Sequence, residues 1–236
     1  MGQAGFPLLS LITFLPLAGC VIIMTVRGDD ETVASNARWT ALWTSLIVFV
    51  LSLVLWVRFD CTSAAFQFVE TDTWLPEFHV AYHMGVDGIS VLFVLLTTLL
   101  TPICILASWE AIQVRVREFM IAFLILETML VGMFCALDFL MFYIFFEGVL
   151  IPMYLIIGVW GGPRRVYSAV KFFLFTLTGS VLMLLALLAM WQYAGTTDIP
   201  VLLHTHFPAH MQFWLFIAFL ASFAVKVPMW PVHTWL

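Results

Sequence analysis

The feature that most constrains this chain is a series of seven apolar segments, each about as long as a lipid bilayer is thick. A helix needs about 20 apolar residues to cross the hydrocarbon core of a membrane. The segments cover residues 6–26, 39–57, 89–108, 119–137, 139–160, 169–191 and 213 to the chain end. Hydrophobic residues occupy 64% of the 236 positions and charged residues 10%, whereas soluble domains are about half apolar and about a quarter charged. The pattern excludes a soluble domain and predicts an all-α integral membrane protein with about seven transmembrane helices.

Residues 17–20 (LAGC), in the first segment, look like a lipoprotein cleavage box. A signal peptide begins with a positively charged region. Residues 1–26 contain no Lys or Arg, and the apolar run continues past Cys20, so we expect this segment to remain a membrane helix. Cys61, Cys104 and Cys135 are the other cysteines, and the four are too scattered for a disulfide framework or a zinc site.

The basic residues predict the direction in which each segment crosses the membrane. Lys and Arg accumulate in short loops on the cytoplasmic side. The loops after spans one, three and five, with the start of span six, hold Arg27, Arg38, Arg115, Arg117, Arg164, Arg165 and Lys171. The loops after spans two, four and six hold only Arg58, which places the N-terminus outside. The net charge of -5 comes from acidic loop residues and gives no reason to expect a nucleic-acid partner.

The histidines lie mostly in two long outer loops, residues 58–88 and 192–212. His79 and His83 are four residues apart, and the second loop holds His204, His206 and His210. No cysteine or obvious carboxylate completes a tetrahedral set around either group. The chain also lacks a Gly-rich phosphate loop, a cysteine cluster and facing histidines within spans. We therefore expect no metal, nucleotide, iron-sulfur or haem cofactor in this chain.

Three residues that ionise near neutral pH lie well inside the spans: Glu127, Glu147 and Lys226. A lysine at the middle of a membrane costs roughly 2.5 to 3.5 kcal/mol, so it is retained where it faces protein or water and has a partner. Glu147 is the obvious partner because it is the only charged residue in its span. Glu127 has no neighbouring proline and no evident basic partner, and we interpret it as structural.

Prolines follow both members of this pair. Pro152 cannot donate a hydrogen bond to the carbonyl of Gly148, and Pro228 and Pro231 likewise release two carbonyls that flank Lys226. Broken helices at membrane depth are tolerated where they are buried in protein or line a watery cavity. The sequence therefore predicts helix breaks that admit water beside Glu147 and Lys226.

Burial disfavours the charged form of each group, whereas their mutual attraction favours it. This balance permits a proton-transfer switch, although a static buried ion pair that orders two helices is the alternative interpretation. Counted from the outer ends of their spans, Glu147 lies roughly 12 Å deep and Lys226 roughly 20 Å deep at 1.5 Å per residue. The sequence does not establish that the two side chains touch.

Seven spans with a lysine in the last also describe a microbial rhodopsin, in which that lysine carries retinal. Such a protein needs a carboxylate counter-ion in span three, and residues 89–108 contain none. Two prolines immediately after the lysine are a further argument against this alternative.

Four sequence runs resemble a known family: MGVDGISVLFVLLTT from Met84, FYIFFEGVLIPMYLIIGVWGG from Phe142, KFFLFTLTGS from Lys171 and FAVKVPMWPVHTWL from Phe223. They are similar to the antiporter-like membrane chains of proton-pumping NADH:quinone oxidoreductase, respiratory complex I, and most to chain M, which is subunit 4 in mitochondria. By motif position, Glu147 matches the glutamate of span five in that family and Lys226 matches the lysine of its broken seventh helix. His233 lies in the same run and is a weaker candidate for the hydrated path.

The resemblance implies proton movement across the membrane, coupled to NADH oxidation and quinone reduction in other subunits. Its implied partners are the other membrane subunits, including paralogous antiporter-like chains, and the lipid bilayer, which is a bacterial cytoplasmic or mitochondrial inner membrane. Family members are about twice as long and contain inverted helical repeats. We therefore expect an N-terminal half, with residues 1–110 forming helices one to three and residues 111–236 forming an incomplete first repeat.

Two alternatives to proton pumping in this complex stay open. The chain could be a structural or assembly component of the membrane arm, or a subunit of a related multisubunit cation/proton antiporter. A Lys and Glu pair suits protons better than sodium, but the sequence does not decide between the two ions.

Overall fold

A computed structural model describes residues 6–236 of the chain. These residues form nine α helices and one two-stranded sheet. The helices are α1 (Leu8–Thr25), α2 (Asp30–Arg58), α3 (Ser90–Ala107), α4 (Val116–Cys135), α5 (Phe139–Gly148), α6 (Leu150–Trp160), α7 (Arg165–Ala194), α8 (Ile199–His204) and α9 (Ala209–Lys226). The strands are β1 (Gln67–Leu75) and β2 (Val80–Val86).

The seven predicted transmembrane spans are confirmed. Six are the single helices α1, α2, α3, α4, α7 and α9, and the fifth is the pair α5 and α6, which together cover Phe139–Trp160. All seven are long and apolar enough to cross a bilayer, with mean hydropathy between 1.4 and 2.4 over their most apolar windows. The chain is therefore an integral membrane protein.

Two helices extend well beyond their apolar runs. α2 has 29 residues and α7 has 30, because the polar residues that precede each run are helical as well. Asp29 caps α2 by accepting a hydrogen bond from the Thr32 backbone N–H at 3.2 Å. Hydrogen bonds from the Thr32 side chain and backbone also lower the pKa of Asp29. Hydropathy locates the membrane-spanning part of such a helix but misses its capped polar end.

The described chain divides into two compact units. Unit 1 holds residues up to Thr71 and Met84–Ala136, and so contains α1 to α4. In its interior Gly19 of α1 lies against Thr44 of α2, where a Cβ atom added to Gly19 would approach the threonine hydroxyl to 2.7 Å. The missing side chain at Gly19 therefore allows these two helices to pack closely.

Unit 2 holds Asp72–His83 and Leu137–Leu236, and so contains α5 to α9. α7 packs against both α6 and α9. Asp138, only 1% exposed, caps α5 by accepting from the backbone N–H of Leu140 at 2.9 Å and of Met141 at 3.2 Å. Its second oxygen accepts from the Thr197 hydroxyl at 2.6 Å, which ties the start of α5 to the loop before α8.

The two-stranded sheet is a difference from the all-α expectation. β1 and β2 are joined by a single 3₁₀ turn, Pro76–Phe78, and by His79 in the left-handed conformation with φ of 52°. Most of β1 is exposed, so the alternation of apolar and polar residues that marks a half-buried strand is weak there.

The predicted division at residue 110 follows an internal repeat and stays a prediction.

Candidate functional site

Glu147 stands at an interruption of the fifth span. α5 ends at Gly148 and α6 begins at Leu150. Val149 lies between them, and its backbone N–H donates to the carbonyls of Glu147 and Phe145. The interruption lies three residues before Pro152, whose missing N–H prevents a regular helix there. Both carboxylate oxygens of Glu147 are buried and have no hydrogen-bond partner among the residues of the described chain.

Lys226 is the last residue of α9 and also ends a span. Its Nζ lies 4.2 Å from the centre of the Phe146 ring and donates a hydrogen bond to the Phe146 carbonyl at 3.4 Å. Cations favour the face of an aromatic ring because the ring carries negative charge there. The ammonium group is therefore held against the residue next to Glu147, in spite of the different depths that the sequence predicted.

Glu147 and Lys226 are neighbours without forming a direct ion pair. Each acts electrostatically on the other, yet Glu147 accepts no hydrogen bond. Ser180 of α7 lies beside both Glu147 and Tyr143. The Ser180 hydroxyl donates to the carbonyls of its own helix, at 3.1 Å to Thr176 and 3.0 Å to Leu177. Its hydrogen is therefore unavailable to Glu147.

Sequence reasoning missed Ser222, which lies one helical turn before Lys226 on the same face of α9. Ser222 is fully buried and its hydroxyl has no hydrogen-bond partner in the described chain. The spacing of four residues from Lys226 was a signal that could have identified it. Ser180 on α7 thus lies beside Glu147, and Ser222 on α9 shares a helix face with Lys226.

The segment after α9 folds back onto the end of that helix. The carbonyl of Ala224, which Pro228 leaves without its helical partner, accepts from the Met229 backbone N–H at 2.8 Å. The carbonyl of Val225 accepts from the Trp235 indole N–H at 2.8 Å. The helix does end at Lys226, but these carbonyls are used within the protein because the chain folds back on itself.

His233 and the prolines Pro228 and Pro231 lie in this non-helical segment. His233 is exposed, and its carbonyl accepts from the Leu236 backbone N–H at 3.1 Å. Among the described residues, Lys226 donates to Phe146 and Glu147 has no hydrogen-bond partner, so neither is hydrogen-bonded to His233. Its place on a hydrated path stays a prediction.

Glu127 belongs to unit 1, whereas Glu147 and Lys226 belong to unit 2. It is 1% exposed on α4.

Two of the histidines considered as metal ligands have other partners: His83 pairs with Asp198 at 2.8 Å, and His210 accepts from the Trp214 indole at 3.2 Å. Within residues 6–236, no three His, Cys, Asp or Glu side chains converge on a point that could hold a metal ion.

The geometry allows one kind of chemistry. An ammonium group and a carboxylate lie near each other at two helix ends inside a membrane protein, and the carboxylate has free lone pairs. A water that bridges two nearby polar groups is nearly as favourable as a direct hydrogen bond between them. The arrangement therefore suits proton transfer between Lys226 and Glu147.

Comparison with known proteins gives a consistent result over the whole chain. Residues 11–133 match the family model "NADH-ubiquinone oxidoreductase chain 4, amino terminus", and residues 136–236 match "NADH:quinone oxidoreductase/Mrp antiporter, TM". NADH-quinone oxidoreductase subunit M of Rhodobacter capsulatus is 51% identical over 97% of this chain. NADH-ubiquinone oxidoreductase chain 4 of Marchantia polymorpha is also 51% identical over 97%.

Solved structures agree with the sequence comparison. A chain of respiratory complex I from Thermus thermophilus, solved with bound NADH, superposes with a TM-score of 0.82 and 31% identity over 97% of this chain. The chain spans about half the length of the relatives it matches, namely 47%, 46% and 46% of these three proteins. The family resemblance seen in the sequence is confirmed: this chain belongs to the NADH-ubiquinone oxidoreductase chain 4 family.

Proposed function

We propose that this chain is part of a proton-translocating membrane subunit of an NADH:quinone oxidoreductase, in which Lys226 and Glu147 exchange a proton. The observation that carries the proposal is the position of Lys226 Nζ, 4.2 Å above the Phe146 ring, beside a carboxylate with no hydrogen bond. NADH oxidation and quinone reduction belong to other subunits of the complex. The other membrane subunits, including antiporter-like paralogues, are the proposed partners.

The exchange conserves charge and needs no other reactant than water. A proton leaves Lys226 Nζ, and an oxygen of Glu147 accepts it, so the charged pair becomes a neutral amine and a neutral acid. Low polarity around the site stabilises the neutral pair, whereas direct contact stabilises the charged pair. A shift of the last turn of α9 relative to Phe146 changes the separation of the two groups and so moves the proton.

The proposed membrane is the bacterial cytoplasmic membrane or the mitochondrial inner membrane, with the N-terminus on the outer side. The orientation rests on the arginines and lysine between spans, which lie mainly in the loops after odd-numbered spans. Protons would then cross between the outer space and the side that carries these basic loops.

The first test replaces Lys226 with Ala in the full-length complex and measures NADH-driven proton uptake in vesicles. We expect proton uptake and quinone-linked turnover to fall severalfold, because Lys226 is the proton donor of the pair. Electron transfer from NADH to an artificial acceptor should be preserved, because that assay reports only the subunits that oxidise NADH. Unchanged pumping would show that Lys226 is a structural charge.

Glu147→Gln separates translocation from a purely structural role. Glutamine keeps the size and polarity of the side chain but cannot accept the proton, so the complex should assemble and pump poorly. Glu118→Gln is the matched control, because Glu118 lies half exposed in the first turn of α4 and pairs with Arg115 at 3.7 Å. A complex that fails to assemble with Glu147→Gln would instead support the structural or assembly role.

A cation/proton antiporter subunit is the second candidate function. It is favoured by the match of residues 136–236 to a family model that covers both NADH:quinone oxidoreductases and Mrp antiporters. Sodium dependence decides between the two: transport by an antiporter subunit would respond to a sodium gradient, whereas proton uptake in the oxidoreductase would follow NADH addition without sodium.

A further inference from the structure

Glu127 is a buried carboxylate for which the proposed function has no use. It is 1% exposed, and neither of its oxygens has a hydrogen-bond partner among the described residues. The groups that act on it are Thr101 of α3 and Cys20 of α1, and neither carries a positive charge. An unpaired buried carboxylate costs several kcal/mol, so this environment favours the neutral acid.

The orientation of the Thr101 hydroxyl supports a proton on Glu127. Thr101 donates its only hydroxyl hydrogen to the carbonyl of Thr97 at 3.0 Å. Toward Glu127 it can therefore offer only a lone pair. An ionised carboxylate, which only accepts hydrogen bonds, has nothing to gain from such an oxygen, whereas a protonated acid can donate its hydrogen to it.

Two further buried hydroxyls lie in the same core, on α1 and α4. The helices run antiparallel, since Arg117 donates to the Met24 carbonyl and Cys20 donates to the Ile121 carbonyl at 3.7 Å. Each advance of four residues along α4 thus corresponds to a return of four along α1. Continued in this register, the pairing brings Thr128 opposite Thr13.

Thr13 and Thr128 are both fully buried, and neither hydroxyl has a hydrogen-bond partner in the described chain. Pro16 leaves the carbonyl of Ile12, next to Thr13, without its helical donor. An internal water is stable where two to four polar groups converge on it. In this register the two hydroxyls and the carbonyl lie on the facing sides of α1 and α4, and Thr128 directly follows Glu127 in α4.

The polar core continues on the other side of Glu127. One turn before Thr101, the hydroxyl of Thr98 lies 2.7 Å from that of Ser52 on α2. Pro102 leaves the carbonyl of Thr98 without its helical donor. Polar groups therefore line the interior of unit 1 from α1 to α2, and among its described residues Glu127 is the buried carboxyl group.

We propose that Glu127 is a proton-binding group in a hydrated polar core of unit 1, distinct from Glu147 and Lys226, and that its acid hydrogen is directed at the Thr101 hydroxyl oxygen. The inference concerns unit 1 alone and holds whether or not the pair in unit 2 translocates protons. The ligand of this site is a proton, with water as its hydration partner.

Infrared spectroscopy of the full-length protein in lipid membranes tests the proposal. A protonated carboxyl group absorbs at a carbonyl frequency well separated from that of a carboxylate. We expect such a band at neutral pH, its loss in Glu127→Gln, and its persistence in Glu118→Gln. Transfer to D₂O should shift the band, because a hydrated acid exchanges its hydrogen. A spectrum of Glu127→Gln identical to that of the unchanged protein overturns the proposal.

Thr101→Val supplies a test that keeps Glu127 in place. Removing the acceptor should move the carbonyl band to higher frequency, whereas Thr97→Val is the matched control one helical turn earlier on α3, where Thr97 donates to the Phe93 carbonyl at 2.8 Å. An equal effect of both substitutions would overturn the assigned hydrogen bond. A band that persists unshifted in D₂O would show a dry site and overturn its hydration.

Discussion

The side chain of Phe146 is as much a part of the candidate site as the two charges. Its ring lies 4.2 Å below Lys226 Nζ and its carbonyl accepts from the same atom. A cation held over an aromatic face away from water gains about 1 to 2 kcal/mol. The ring therefore fixes the ammonium group beside Glu147 while leaving the carboxylate free to accept a proton.

We predict that Phe146→Leu weakens this placement measurably. In a double-mutant cycle with Lys226→Met, unfolding in detergent should give a coupling free energy of about 1 to 2 kcal/mol, since only the pair of native side chains forms the cation–π contact. Phe145→Leu is the matched control, because Phe145 is equally buried, whereas the ring 4.2 Å from Lys226 Nζ is that of Phe146. Equal coupling for both phenylalanines would show that general packing, and no cation–π contact, holds Lys226.

At this scale the sequence indicated the charges but not their surroundings. Glu147 and Lys226 were predictable because a charged residue in an apolar span is rare and usually has a partner or a functional role. Phe146 was not, because the chain has 23 phenylalanines and nothing in the sequence distinguishes the one that lies under a lysine. Ser180 carried no signal either, since serines in membrane helices commonly bond to their own backbone.

The packing of α7 against α9 determines where the end of α9 lies. Gly179 of α7 faces Val225, the residue before Lys226, and a Cβ atom added to Gly179 would come within 2.9 Å of the valine side chain. The absence of a side chain at residue 179 therefore lets α9 approach closely enough to place Lys226 over Phe146. Small residues commonly serve this purpose between membrane helices.

We predict that Gly179→Ala destabilises unit 2 by about 1 to 3 kcal/mol, the usual cost of overpacking, and reduces proton uptake. Adding Val225→Ala should restore part of both losses, because it removes the atoms that the new methyl group meets. Thermal unfolding and NADH-driven uptake of the single and double variants measure the effect.

Gly158→Ala is the control for this prediction. A Cβ atom at Gly158 meets only the Ala169 side chain, at an ordinary 3.5 Å, so this variant should be close to neutral. Failure of Val225→Ala to rescue Gly179→Ala would show that the close approach of α7 and α9 does not control the site.

Among the elements, the membrane spans were predictable and the soluble parts were not. Hydropathy dominates a span of about 20 residues, so each was located from composition alone. The predicted opening of the helix beside Glu147 rests on Pro152, which lacks the hydrogen that a continuous helix needs, and it stays a prediction. The β1 and β2 hairpin depends instead on pairing between strands with little apolar alternation, and Asp138 becomes a buried cap only once Thr197 is brought to it by the fold.

For the molecule as a whole, the uneven distribution of basic residues between the two ends of the spans predicts the orientation of the seven spans in the membrane. The arginines lie in the described connections between α1 and α2, between α3 and α4, and between α6 and α7, or in the first part of the helix that follows each, whereas Arg58 is the last residue of α2. Retention of such residues on the cytoplasmic side predicts that Cys61 lies outside and Arg164 lies inside. Both residues are exposed, so both positions are accessible to a probe in water.

We predict that a membrane-impermeant maleimide labels Cys61 in right-side-out vesicles but not in sealed inside-out vesicles. Arg164→Cys in a Cys61→Ser background should show the opposite pattern. The background isolates the new thiol because Cys20 and Cys135 are buried, and Cys104, although exposed, lies within the α3 span, where a thiol facing lipid reacts poorly. Mass spectrometry of the labelled peptides identifies the site. Labelling of Cys61 from the inner face would reverse the orientation, and with it the direction in which Glu147 and Lys226 pass a proton.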